Sequence, residues 1–225
     1  MRVPQTEAVR GSQKWLQLLV NTRPELFNKA LSGTALSGRS IEWTSPLRDD
    51  QYAEYRDAAF LDRVAAKLEI QTLKGFWPAR GPCWDGLARS SDGEPILVEA
   101  KAHIAEMASP ATAARGDSLA LIEQSLQRLK EYLGVTQPTN WARTLYQYTN
   151  RLAHLYLLRV LNDVPAHLIF LYFVGDADMK GPSTSSEWAG AIRLAHAMLG
   201  LPHRHRLSSF IHDVFIDVKS LSPPT

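Results

Sequence analysis

Pro82-Cys83-Trp84-Asp85-Gly86-Leu87-Ala88-Arg89-Ser90-Ser91-Asp92-Gly93-Glu94-Pro95-Ile96-Leu97-Val98-Glu99-Ala100-Lys101 decides how this chain is read. Two strand-like runs, over about residues 83–90 and 95–102, flank Ser91-Asp92-Gly93, a hairpin signal. The second run is apolar except for a glutamate and a lysine. Side chains alternate along a strand, so Glu99 and Lys101 share one face. Ile96, Val98 and Ala100 take the other face and read as buried. Leu87 and Leu97 cover one end of the charged face. Charges withdrawn from water are costly unless they are paired or bind a metal.

Where Asp85 points depends on the register. A three-residue loop, Ser91-Asp92-Gly93, suits a type I turn closed by a left-handed glycine. Ser90 then opposes Glu94, and Asp85 opposes Glu99. A two-residue loop, Asp92-Gly93, sets Asp85 against Ala100 and on the wrong face. The glycine position makes the first register the better fit without deciding it. In that register the two carboxylates stand roughly 5 Å apart across the strands. A divalent cation would turn their repulsion into coordination, and carboxylates, carbonyls and water suit Mg2+ or Mn2+. The Ala100 carbonyl is a further candidate ligand. Lys101 is placed to orient or deprotonate a water and to offset phosphate charge.

Asp85 followed by Glu99-Ala100-Lys101 resembles the motif of the PD-(D/E)XK nuclease superfamily, whose fold is restriction-endonuclease-like. The motif spans about twenty residues, and it departs from the pattern in having Trp84, not proline, before the aspartate, with Pro82 close by. The resemblance implies a core of helix, three antiparallel strands, helix and a further strand, here over about residues 51–174. It implies a catalytic set of Asp85, Glu99 and Lys101, with metal held by Asp85, Glu99 and the Ala100 carbonyl. Metal-assisted hydrolysis of phosphodiester bonds follows, in DNA ahead of RNA, and many such enzymes act as homodimers. Members often add an acidic residue from the preceding helix, which points to Glu54. A glutamine or lysine from the following helix often joins the site, which points to Gln124. His103 continues the face of Glu99 and Lys101 and is placed to touch a phosphate.

Gln147, Asn150 and Arg151 fall at i, i+3 and i+4, on one face of a predicted helix. That helix is otherwise apolar, so the patch either contacts a phosphate backbone or braces the sheet. His203-Arg204-His205-Arg206 is a small basic cluster whose ordinary reading is a solvated loop.

Working outward, the apolar spacing predicts a helix over about residues 7–20, a short strand at Ile41-Glu42-Trp43 and a helix over 51–69 capped by Asp49 or Asp50. Beyond the hairpin it predicts helices over 118–133 and 145–161, a buried strand over 166–174, a helix over 186–199 and a last strand over 211–218. Alternating strands and helices with one hairpin imply an α/β fold, a central mixed sheet flanked by helices. One domain is expected over residues 1–219, with 220–225 a disordered tail.

The 225 residues are 45% apolar and 21% charged, the balance of a water-soluble globular chain. A net charge of +2 neither demands nor forbids a nucleic-acid partner. A single cysteine, Cys83, excludes an intrachain disulfide framework and a multi-cysteine zinc site. The N-terminus lacks the apolar run of a signal peptide, and no segment is apolar for long enough to span a bilayer. The expectation is a cytoplasmic protein with no membrane partner. No nucleophile elbow, phosphate loop, dinucleotide fingerprint or His-Glu-x-x-His motif is present. The competing expectation is a nuclease-fold module without catalysis, binding nucleic acid or protein.

Overall fold

The hairpin predicted over residues 83–102 lies at the centre of the sheet in the computed structural model, which describes residues 1–221. In chain order the elements are β1 (Arg2–Val3), α1 (Gly11–Thr22), α2 (Pro24–Ala30), β2 (Ile41–Ser45), β3 (Glu54–Tyr55), α3 (Ala58–Arg63) and α4 (Leu73–Phe76). There follow β4 (Gly86–Ser90), β5 (Pro95–Lys101), α5 (Gly116–Leu133), α6 (Tyr146–Arg159), β6 (His167–Val174), α7 (Ser185–Leu199) and β7 (Ile211–Asp217). The five-stranded sheet has the order β2-β4-β5-β6-β7. Its first three strands are antiparallel, and β6 and β7 continue parallel to β5. The chain is therefore α/β with a mixed sheet, as the alternation predicts.

Two apolar layers cover the sheet. Ala88, Ile96, Val98 and Ala100 meet Trp15, Leu16 and Leu19 of α1 and Phe27 of α2. Leu87, Leu97, Phe170 and Tyr172 meet α5, α6 and α7 through residues such as Leu126, Leu152, Leu155 and Trp188. The odd–even split of β5 decides which layer each side chain joins. Helix α6 is buried on nearly every side, and it carries Thr149, Asn150, Arg151 and His154 into the interior with its leucines.

The three-residue loop closes the hairpin. Gly93 is left-handed at φ +80°, its N–H donates to Ser90 O at 2.8 Å, and Ser90 N–H donates to Glu94 O at 3.0 Å. Gly86 pairs with Val98 and Arg89 with Pro95. Extending that register one step sets Asp85 against Glu99.

The predicted helix over residues 51–69 is a correction. Gln51, Tyr52, Asp57 and Ala65 have φ between 47° and 54°, which no helix tolerates. Glu54 and Tyr55 form β3 instead and pair with Val3 and Arg2 of β1. Asp50 does not cap a helix; it accepts from Arg2 Nε at 2.8 Å, Arg63 Nη2 at 2.9 Å and the Tyr55 hydroxyl. These partners, with Arg2 reached across 48 residues, outweigh local spacing, and only residues 58–63 stay helical. The helix ahead of the antiparallel strands is α1, so the order helix, three antiparallel strands, helix, strand begins near residue 11, not 51. At the C-terminus, Leu221 is buried and Ser220 Oγ donates to Asp217 O at 2.6 Å, so these two are not part of a loose tail. The rest of the tail expected to be disordered, residues 222–225, lies outside the described residues.

Candidate functional site

Asp85, Glu99 and Lys101 lie at the end of the hairpin farthest from its loop, with Glu99 and Lys101 in contact and Asp85 near enough for their charges to act on it. Glu99 is almost fully enclosed, at 1% exposure. Both of its oxygens are engaged: Lys101 Nζ donates to Oε1, and Arg151 Nε donates to Oε2 at 2.5 Å. Lys101 Nζ also donates to Gln147 Oε1 at 2.9 Å. Arg151 is fixed in turn. Its Nη2 donates to Cys83 O at 2.7 Å, its Nη1 to Asn150 Oδ1 at 3.1 Å, and its guanidinium lies 4.7 Å from the centre of the Trp84 ring. The Gln147, Asn150 and Arg151 patch thus faces the sheet, with Gln147 on Lys101, Arg151 on Glu99 and Asn150 on Arg151. Trp84, the residue in the proline position of the motif, is the platform beneath Arg151.

Asp85 precedes the first paired residue of β4 and stands where that strand begins beside β5. Its Oδ2 accepts from Ala100 N–H at 2.8 Å. Strand geometry directs the carbonyl of a residue to the same side of the strand as its N–H, so the Ala100 oxygen also points toward the start of β4. Asp85 also shares a small cavity with Glu54, Ser12 and Gln13. Glu54 reaches it from β3, because Tyr55 bridges to Trp84 and carries the strand alongside. The expected acidic residue is thus adjacent to the site, but from a strand and not from a helix. Gln13 Nε2 donates to Glu54 Oε1 at 3.3 Å. Nothing in the sequence singled out Ser12 or Gln13, since α1 is brought to the site only by packing.

The charges follow from this enclosure. Burial, with the Glu99 charge adding to it, pushes the Asp85 carboxyl up to about 8. Burial also raises Glu54, against the influence of Cys83 and Gln13. For Glu99 burial acts upward, but Arg151 and Lys101 outweigh it and hold the carboxyl below its ordinary value. Lys101 is raised, because Glu99 and Asp85 overcome its own desolvation. Cys83, pushed up to about 12 mainly by burial, is no nucleophile.

The remaining candidates lie elsewhere. Gln124 is exposed on α5 and takes no part in these contacts; Gln147 is the glutamine that reaches Lys101. His103 caps the 3-10 turn Ile104–Met107 and faces Glu106. His203, His205 and Arg193 line a separate groove between α7 and β7. Among the described residues, no group of three or more His, Cys, Asp or Glu side chains is arranged to hold a metal ion, and no helix is long and apolar enough to cross a membrane. No protein-family model matches the chain, and no match was found among curated proteins or solved structures.

Proposed function

We propose that the chain is a metal-dependent nuclease of the PD-(D/E)XK type that hydrolyses phosphodiester bonds in nucleic acid, DNA ahead of RNA. The observation that carries this reading is the hairpin register, which sets Asp85 against Glu99 with Lys101 on the Glu99 face. The element order, with α1, β2, β4, β5, α6 and β6 as helix, three antiparallel strands, helix and parallel strand, agrees with a restriction-endonuclease-like core. The donor chemistry fits Mg2+ or Mn2+: Asp85, Glu99 and the Ala100 carbonyl are hard oxygen ligands where β4 begins beside β5, with Glu54 adjoining Asp85. An Asp85 carboxyl raised toward 8 by burial and a neighbouring carboxylate marks a place where a cation would be welcome.

When bound, such a cation supplies Lewis acidity and a more acidic water. The protein's own groups do the rest. Lys101, aimed by Glu99 and Gln147, presents a fixed ammonium to a water or a phosphate oxygen. Arg151 holds Glu99 ionised and immobile. Gln147 limits the rotation of the lysine, which is the kind of positioning hydrolysis demands.

One observation favours a second reading. Both Glu99 oxygens are already taken by cations of the protein itself, so the site is electrostatically closed without metal. A nuclease-fold module that binds nucleic acid or protein without cutting would look like this. Calorimetric titration of Mn2+ into the wild type and Asp85→Asn separates the two. Asparagine keeps the size of Asp85 and can still accept from Ala100 N–H, so the fold should survive. The nuclease reading expects Mn2+ binding that weakens at least roughly tenfold in Asp85→Asn, with DNA cleavage lost. A folded wild type that neither binds Mn2+ nor cuts would establish the module.

A further inference from the structure

A groove of about 660 Å3 lies beside the site, between the loop Trp77–Arg80 and the segment from Thr112 to Ser118. That volume falls within the usual range for pockets that take small organic ligands. Its charged lining residues are Arg80 and Arg115, both exposed, and no acidic side chain joins them. Among the described residues neither arginine is in an ion pair. Tyr146 forms part of the wall. Trp77, itself buried, stacks beneath it with ring centres 6.4 Å apart and planes 16° from parallel. The Tyr146 hydroxyl faces Thr112 and Asn150.

The groove is built, and it is joined to the site. Gly81 N–H donates to Asp57 Oδ1 at 3.0 Å and anchors the first loop. Thr112 N–H donates to Ala142 O at 2.9 Å, and Gln147 N–H donates to Ser109 Oγ at 2.8 Å, which ties the opposite wall to the start of α6. Tyr146 is followed directly by Gln147, the residue on Lys101.

We infer that this groove seats an unpaired nucleic-acid strand, with a base against Tyr146 and phosphates at Arg80 and Arg115, so that the substrate is single-stranded or frayed next to the cleaved bond. The inference rests on the nuclease reading for its purpose, but not for its test. A backed aromatic ring beside unpaired cations is the arrangement by which proteins hold single strands without reading sequence. A base-paired duplex keeps its base faces stacked internally and offers none to Tyr146.

The test is fluorescence anisotropy of a labelled oligodeoxythymidylate and of a blunt hairpin duplex, with the full chain in EDTA so that no cleavage intervenes. The wild type should bind the single strand more tightly than the duplex. The Arg80→Gln/Arg115→Gln double variant, altered only at exposed side chains, should lose roughly tenfold in single-strand affinity, with the salt slope falling by about 0.7 per phosphate contact removed. Tyr146→Leu should lose a similar factor with the salt slope unchanged. Equal affinity for duplex and single strand, no binding of either, or full retention of single-strand binding by the double-arginine variant would each overturn the inference. Cleavage and Mn2+ binding by the wild type report separately on the nuclease reading. A protein that cuts duplex while the arginine variant binds normally loses the groove and keeps the activity; one that holds single strands and neither binds Mn2+ nor cuts does the reverse.

Discussion

Glu99 holds two cations, and the three side chains do not contribute equally. Removing Arg151 takes away a buried partner that also ties Cys83 O and Asn150 to the sheet. Arg151→Met leaves Glu99 with Lys101 alone and Cys83 O without its donor, and should therefore destabilise the protein by about 3–5 kcal/mol, the usual cost of breaking a buried ion pair by removing one partner. Lys101→Met leaves Glu99 paired with Arg151 and keeps the apolar stem of the side chain. Its cost should be nearer 1–3 kcal/mol, while cleavage, if Lys101 serves the reaction, should disappear. Urea denaturation of both variants, set beside a cleavage assay, checks the order. An activity lost in step with stability would mark Lys101 as a brace alone. The sequence placed Glu99 and Lys101 on one face because strand alternation is a local rule. It left the fixed arginine among open alternatives because the contact spans 52 residues and depends on how α6 packs.

At the scale of elements, the hairpin was the part most open to reading. Its loop chemistry is contained in three residues, and its apolar alternation decides the faces. The segment after Asp49 was the least open, because its helical spacing competes with partners at the N-terminus that no local window contains. Glu54 illustrates both sides: its position beside the site was inferred, whereas the strand that carries it was not. A comparable long-range fit occurs where the loop after β6 crosses the end of β5. A Cβ on Gly181 would lie 2.1 Å from the Ala102 carbonyl oxygen. Backbone cannot yield as a side chain can, so Gly181→Ala should cost about 1–3 kcal/mol through strain. It should also loosen the end of β5 just beyond Lys101. Thermal unfolding would show the first effect, and faster amide exchange at Ala102 the second; an unchanged melting temperature would mean that the crossing loop moves freely.

For the whole molecule, the distribution of charge predicts a response to pH that no single site displays. The sheet is covered on both faces, and the helix lying deepest, α6, carries His154 among Phe60, Trp77 and Trp84. Burial there lowers His154 to about 3, although its Nδ1 lies 2.8 Å from Asn150 O. His205 and His212 are lowered to about 4, again chiefly by burial. A histidine depressed in the folded state is neutral in both states above its unfolded value, roughly 6.5. Below that the unfolded chain takes up protons that the folded chain refuses. The histidine contribution to stability is therefore fully present above about pH 6.5 and is lost as pH falls toward 3. His154 alone should contribute about 1.4 kcal/mol per pH unit across that window. Asp213, raised to about 6 by burial, and Asp85, raised to about 8, work in the opposite direction. Each favours the folded state when protonated, so the Asp213 contribution falls as pH rises from about 4 to about 6, that of Asp85 as pH rises from about 4 to about 8, and both soften the acid loss. In His154→Phe the acid slope of unfolding free energy between pH 6 and pH 4 should flatten by close to one proton, measured by urea titrations at stepped pH. A slope identical to that of the wild type would mean that the imidazole is charged inside the fold. The enclosure of α6, and with it the fixed position of Arg151 against Glu99, would then be looser than the packing of Trp77, Trp84 and Phe60 around it implies.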